Sequence, residues 1–417
     1  MKFNPTRFAV VDTEGNLKFP HEIKDVIYLT PEVILRIETG ENEVQIQPSS
    51  DHLARVYLEP TNRCNLECRT CIRNVWDEPL GMMEWEIYEQ ILDGIHAFTP
   101  MPTVFLGGFG EPLIHPKIIE MIRGVKESGG SVELITNGIL LTEDVSAQLI
   151  EIGLDILWIS IDGVTPESYA EVRLGATLPT VLTNMEALLR RRELAIKMKP
   201  QVGIACVAMK RNIHELPDLI RMGAAQGIEL FSISNILAYT PELKEEVMYE
   251  RTLIDGSYEL ARKAEEINFP RLELSNPTME AYWKDFQSDF RYRMTGGEVD
   301  PSIMQCPFLL RESTSIRWDG ELSPCLPLLH THDSYLGKRL RRSLAYSIGN
   351  ISKFSLSELW NDPVYVNLRK RLQVFDYSPC TYCNSCEMAD GNQEDCFGNS
   401  PPTCGGCLWA QGLIQCP

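Results

Sequence analysis

Thirteen cysteines in 417 residues, ten of them crowded into two short stretches, constrain this chain more than any other feature. One group is Cys64, Cys68 and Cys71. The other is Cys380, Cys383, Cys386, Cys396, Cys404, Cys407 and Cys416, while Cys206, Cys306 and Cys325 stand apart. Met1 to Pro20 has no apolar core of signal-peptide type, and no stretch approaches the ~18 apolar residues of a membrane span. A soluble cytoplasmic protein is therefore expected, and in a reducing compartment clustered cysteines bind metal or do redox work rather than pair as disulfides. The formal charge of −19, from 58 acidic and 39 basic residues, argues against a general nucleic-acid or anionic-membrane binder. Two small basic runs, Arg190-Arg191-Arg192 and Lys338-Arg339-Leu340-Arg341-Arg342, read as solvated faces, with a phosphate site as the alternative.

A chain this long divides into domains. Residues 1–53 alternate short apolar runs with turns and read as a small β element. From 54 to 240, six strand-like runs begin at Val56, Val104, Val132, Ile156, Val202 and Leu230, and amphipathic stretches separate them. Ile87, Ile91, Ile95 and Phe98 share one helical face, as do Ile118, Ile122 and Val125. Six such units predict an α/β fold with a parallel sheet covered by helices, whose working loops lie at the C-terminal ends of the strands. Residues 241–300 read as a polar helical connector. Residues 301–417 have little periodicity and many cysteines, so this part needs metal to complete a weak core.

Cys64, Cys68 and Cys71 form a C-x3-C-x2-C loop just past the first strand. Three thiolates can hold three irons of a cubane, leaving the fourth iron open for catalysis. Within Asn62-Arg63-Cys64-Asn65-Leu66, this loop resembles that of the radical S-adenosylmethionine (SAM) superfamily. Gly107-Gly108-Phe109-Gly110-Glu111-Pro112 resembles the family's glycine-rich loop, which implies that Gly107, Gly108, Gly110 and Glu111 meet the SAM amino group. Asn137 ends the third strand. Ser160 and Asp162, in Ser160-Ile161-Asp162-Gly163, resemble the ribose-contacting loop, and Arg173 stands where relatives face the SAM carboxylate. Thr70 replaces the aromatic residue many relatives place before the third cysteine, which leaves adenine packing weaker or supplied by Ile72. The resemblance implies a partial (β/α)6 TIM-like barrel.

Cys306, Gly320 and Cys325, then Cys380-x2-Cys383-x2-Cys386, resemble the SPASM extension of radical SAM enzymes, which holds auxiliary iron–sulfur clusters. From Cys383 onward the spacing departs from that pattern, which runs C-x2-C-x5-C-x3-C: here it is C-x2-C-x2-C, then Cys396, Cys404, Cys407 and Cys416. One auxiliary cluster is expected on Cys306, Cys325 and later cysteines, Cys396 among them. A second is expected on Cys380, Cys383, Cys386 and one of Cys404, Cys407 or Cys416. Zinc on the paired Cys380/Cys383 and Cys404/Cys407 spacing is the less favoured alternative. Cys206 reads as a core residue, and His115 as packing a turn. His330 and His332 are open to a metal or acid–base role.

The resemblance implies reductive cleavage of SAM to a 5′-deoxyadenosyl radical, with ferredoxin or flavodoxin as electron donor. Two substrate classes fit: a peptide or protein, and the tungsten–pterin cofactor of an aldehyde oxidoreductase or its host enzyme. Cys68-Arg69-Thr70-Cys71-Ile72-Arg73-Asn74-Val75-Trp76, with Glu78 and Gly81, resembles the maturases associated with the latter. A non-catalytic iron–sulfur carrier or scaffold is the remaining alternative. No single residue stands out as the catalytic one.

Overall fold

The computed structural model describes residues 52–249 and 305–416, apart from 338, 384 and 385, and the backbone of short strands at 10–11, 17–18, 35–39, 44–48 and 293–294. Most of the expected 241–300 connector therefore lies outside the described residues. In the N-terminal part the short strands pair as two antiparallel ladders.

Six parallel strands form the frame: β1 (Arg55–Leu58), β2 (Thr103–Leu106), β3 (Val132–Thr136), β4 (Ile156–Ser160), β5 (Gln201–Ala208) and β6 (Leu230–Asn235). They lie side by side in chain order, as right-handed βα units place them. The helices between them are α1 (Trp85–Ile95), α2 (Ile118–Glu127), α3 (Glu143–Glu151), α4 (Pro166–Val172), α5 (Leu178–Leu194) and α6 (Leu216–Ala225). Alternation divides each strand between two cores. Val56, Leu58, Val104, Leu106, Leu134 and Leu157 pack with the helices. Tyr57, Phe105, Trp158 and Leu230 face the other way, where Phe308, Leu326 and Leu329 of the C-terminal part cover them. On that inner face Arg55 pairs with Glu133 at 2.7 and 3.1 Å, and Trp158 Nε1 donates to Glu133 at 3.0 Å. The pairing matters because a buried charge without a partner is costly.

The C-terminal part extends the same sheet. β7 (Ser313–Ile316) pairs parallel with β1, then β8 (Glu321–Ser323) joins antiparallel, and Gly349–Asn350 closes that edge. β9 (His332–Leu336) and β10 (Arg339–Ser343) form a separate antiparallel hairpin. Two helices, α7 (Leu356–Trp360) and α8 (Pro363–Val374), follow, capped at their N-termini by Ser355 and Asp362.

The basic run at 338–342 is not simply a solvated face. In β10, Leu340 and Arg342 face outward, whereas Arg341 is buried and Arg339 is half-buried, because successive residues of a strand point to opposite sides. Arg190 and Arg191 are exposed at the end of α5, as expected.

Candidate metal centre

The loop from β1 is fixed before it reaches the first thiol. Thr61 Oγ1 donates to the carbonyl of Gly81 (2.6 Å), and the Asn62 side chain spans Pro79 O (2.9 Å) and Gly81 N (2.7 Å). The glycine-rich loop after β2 lies directly on this turn. A Cβ on Gly110 would collide with the carbonyls of Thr61 and Arg63, and Glu111 N donates to Arg63 O at 2.8 Å. Gly108 has φ +105°, a conformation open to glycine, beside the Glu59 side chain.

The three thiols sit at this edge, and each meets an N–H from a different part of the chain. Asn137 Nδ2 lies 3.9 Å from Cys64 Sγ, Arg173 Nη1 lies 4.0 Å from Cys68 Sγ, and Arg73 Nε lies 3.4 Å from Cys71 Sγ. Donors to sulfur stabilise thiolates and tune the potential of a cluster held by them. Burial pushes the free thiols of Cys64 and Cys68 up, so iron must displace protons to bind there. The three-thiol donor set and the glycine approach fit an iron–sulfur cluster with one open iron.

The SAM-loop residues gather here too. Glu111 is buried, and its carboxylate accepts from Leu113 N (3.1 Å), Thr136 Oγ1 (2.8 Å) and Asn137 N (2.7 Å). Its oxygens thus tie the β2 loop to the β3 loop, and burial pushes its carboxyl up. Asp162 accepts from Arg173 Nε (2.6 Å) and Val207 N (2.8 Å), which aims the arginine at Cys68. Ser160 is buried at the end of β4, and Ile72 is buried beside the cysteine loop. His115 packs a turn, with Nε2 on Met83 O at 2.9 Å, and Cys206 is a core residue of β5.

A buried imidazole joins the C-terminal part to this mouth. His330 Nε2 bonds Glu59 Oε2 at 2.9 Å, and its Nδ1 bonds Glu78. Trp76 packs on the ring at 4.3 Å, and Phe109 of the glycine-rich loop meets it edge-on at 5.6 Å. Burial disfavours the imidazolium, but the two carboxylates outweigh it and raise the pKa to about 9. Glu59 Oε1 in turn accepts from Phe109 N at 3.0 Å. Glu59 was not singled out in the sequence; its signal is a charged residue directly after an apolar strand. Gly81 lies under the Trp318 ring, so Trp76, Glu78 and Gly81 all serve this docking.

The C-terminal cysteines fall into groups that spacing does not reveal. Cys306, Cys325, Cys404 and Cys407 line one cavity with about 620 Å³ of free space, part of it open to solvent. Gln305 N donates to Ala410 O at 3.1 Å and brings Cys306 to the segment after Cys407. The tight Gly405-Gly406 turn lies on the Ser378 backbone, where a Cβ would not fit. Cys396 is exposed and does not line this cavity, contrary to the expected partition. Ser378 N donates to Asp395 at 3.1 Å, which sets Cys396 beside the Cys380, Cys383 and Cys386 segment. Cys416 accepts from Trp409 Nε1 at 3.4 Å, against the inner face of the sheet. His332 is buried, with Nδ1 on His330 O at 3.0 Å. Among the described residues no three Cys, His, Asp or Glu side chains stand close enough together to hold a single metal ion.

Comparison with known proteins agrees with this chemistry. The profile of the radical SAM superfamily matches residues 58–222, and that of the SPASM iron–sulfur cluster-binding domain matches residues 306–387. The tungsten-containing aldehyde ferredoxin oxidoreductase cofactor-modifying protein of Pyrococcus furiosus is 31% identical over 371 residues, 87% of this chain and 96% of that one. A PqqA peptide cyclase of Bradyrhizobium diazoefficiens is 26% identical over 54% of this chain and 58% of its own. Streptococcus suis SuiB bound to its precursor peptide SuiA shares the fold, with a TM-score of 0.55 at 16% identity over 80% of this chain and 70% of that one. So does anSMEcpe with bound AdoMet, with a TM-score of 0.54 at 16% identity over 81% of this chain and 85% of that one. No described helix is long and apolar enough to cross a membrane. With three thiols at the mouth of a parallel (β/α)6 frame and a cysteine-rich extension completing its sheet, the chain belongs to the radical SAM superfamily: it is a SPASM-bearing enzyme that uses a [4Fe–4S] cluster, SAM and auxiliary iron–sulfur clusters.

Proposed function

We propose that this enzyme is a maturase acting on the tungsten–pterin cofactor of an aldehyde oxidoreductase, or on the enzyme that carries it. The similarity to the Pyrococcus furiosus cofactor-modifying protein supports this reading, because it runs through the barrel and the C-terminal part alike. The match to the peptide cyclase covers about half of each chain. A ferredoxin- or flavodoxin-type protein supplies the electron.

When bound, the cluster and SAM supply one-electron cleavage of the sulfonium and the radical that attacks substrate. Cys64, Cys68 and Cys71 hold that cluster, with Asn137, Arg173 and Arg73 stabilising their sulfurs. Gly107, Gly108 and Gly110 let the backbone approach the methionine end of SAM, while Glu111 holds that loop against Thr136 and Asn137. The Ser160–Gly163 loop borders the ribose. Arg173, oriented by Asp162, offers its guanidinium to the carboxylate. In the C-terminal part, Cys306, Cys325, Cys404 and Cys407 hold one auxiliary cluster. Cys380, Cys383, Cys386 and Cys396 hold the second, and Cys416 remains outside both. A non-catalytic carrier has no use for a glycine-rich loop packed on the turn that leads into its cysteines.

The test is anaerobic incubation of the reconstituted enzyme with SAM and a reductant, with and without aldehyde oxidoreductase loaded with tungsten–pterin. The proposal expects 5′-deoxyadenosine formation to rise with the loaded oxidoreductase and a mass change on its pterin or its chain. Unchanged turnover, together with stimulation by a short precursor peptide, would shift the assignment to peptide modification.

A further inference from the structure

The basic run at 339–342 has no part in binding SAM, yet the fold turns two of its arginines onto the cysteine segments. Arg339 Nη1 donates to Cys383 O at 2.7 Å, its Nη2 to Cys386 O, and its Nε to Asp390 at 2.8 Å. Its charge is therefore matched by a carboxylate. Arg341 differs. It is 5% exposed, and its Nη1 donates to Ala389 O at 2.9 Å, three residues after Cys386. The same guanidinium lies on Gly406, the residue before Cys407, so closely that a Cβ there would collide with Nη1 and Cζ. Among the described residues no carboxylate stands within ion-pair distance of it. Burial disfavours its charge, and Cys407, Cys380 and Cys404, then Asp390, are the groups whose negative charge would offset that.

A guanidinium stays protonated at any ordinary pH, and a buried one needs a compensating negative charge. Here the candidates are sulfurs on both sides: Gly406, under the guanidinium, lies between Cys404 and Cys407, and Ala389, which accepts from it, follows Cys386 by three residues in the segment that begins at Cys380. Coordinated thiolates carry that charge. We propose that Arg341 is the shared counter-charge of the two auxiliary clusters, a positioning residue that raises the reduction potentials of both and holds their two loops together. This rests on the two-cluster assignment above.

The physical ground is short distance and low dielectric. A buried charge between two clusters is poorly screened by salt and favours the more negative, reduced state of each. Gly406 is the packing condition for this, since any side chain there displaces the guanidinium. Arg339, already neutralised by Asp390 and bonded to backbone carbonyls, is the internal contrast: it shapes the Cys383–Cys386 turn without adding an unmatched charge.

The experiment uses the full chain with Cys64, Cys68 and Cys71 replaced by alanine, so that only auxiliary clusters report. Iron is counted, and midpoint potentials are read by spectroelectrochemistry for Arg341→Met, Arg341→Lys and Gly406→Ala. The proposal expects about eight irons per chain before substitution. It expects both potentials to fall in Arg341→Met and to recover in Arg341→Lys. In Gly406→Ala the Cys404/Cys407 cluster should shift more than the other. Eight irons with neither potential moved, or only one moved in Arg341→Met, overturns it. So does an equal fall in the methionine and lysine variants, which would make packing the cause. If Arg341→Met loses iron, Gly406→Ala decides: an unchanged potential there rejects the proposal. About four irons or fewer in the parent would instead reject the two-cluster assignment, a result separable from any potential shift.

Discussion

The two cysteine regions are built on opposite principles. The loop at Cys64–Cys71 rests on a frame that packs without metal. Leu58, Leu66 and Leu106 are almost wholly buried in the core, and the loop is fixed by the Thr61 and Asn62 side chains, by the Glu111 N–H on Arg63 O and by the close approach of Gly110. The segment from Cys380 to Cys407 has turns in place of long elements, and its order depends on Arg339, Arg341, Asp395 and a pair of glycines. The first region presents a site to the cluster. On the cluster assignment proposed above, the second would use its clusters as part of its core, as small metal-bearing folds do.

Replacing Cys64, Cys68 and Cys71 together with alanine should break the catalytic half of this contrast. Formation of 5′-deoxyadenosine should fall to background, with about four irons lost per chain and the far-ultraviolet spectrum retained. Residual SAM cleavage would remove these thiols from the mechanism. Chelating all iron sharpens the comparison from the other side. Limited proteolysis should then cut within 380–416 while β1 to β6 resist, and equal protection of both regions would show that the C-terminal part packs without metal.

Glu111→Gln probes the stitching of the mouth. The carboxylate accepts three donors, and an amide turns an N–H toward one or more of them. The expected cost is on the order of 3 kcal/mol, seen as a lower Tm and a KM for SAM raised more than tenfold. A KM unchanged within twofold would leave Glu111 with a purely structural role.

The His330 clamp gives a pH signature. Its folded pKa, about 9, lies above the ordinary imidazole value, so its stabilisation is complete below about 6.5 and is lost as pH rises through 9. The groups facing it are Glu59 and Glu78, with Arg317 3.6 Å from Glu78. Wild type should lose on the order of 3 kcal/mol between pH 6 and pH 10 from this group, and His330→Gln should flatten that slope. Parallel slopes in the two proteins would remove His330 as the cause. The smallest effect belongs to Cys206→Ala, deep in β5: about 1 kcal/mol of stability, with iron content unchanged.

Much of this is legible in the sequence. Strand positions followed from short apolar runs, because strands buried on both faces need nothing else. All six observed strands begin within one residue of the expected runs. The C-x3-C-x2-C loop could be read because its ligands are neighbours in sequence, and a short loop leaves few ways to arrange them. His330 with Glu59, and Arg173 with Cys68, could not be read, since 271 and 105 residues separate these partners.

The C-terminal cysteines mark the limit most clearly. The family resemblance joined Cys306 and Cys325 to later cysteines, Cys396 among them, whereas the fold sets Cys404 and Cys407 beside them. The choice depends on a backbone bond from Gln305 to Ala410 and on close approaches at Gly405 and Gly406 that leave no room for a Cβ. The same holds for the basic run, where charge counts alone suggested solvent and strand alternation sent Arg341 inward. The sequence by itself determined the strand positions, the radical SAM loop and the presence of auxiliary cysteines, because those rest on local pattern. Tertiary structure alone decided which distant thiols meet and which charges are buried between them, because both depend on the path of the chain between residues far apart in sequence.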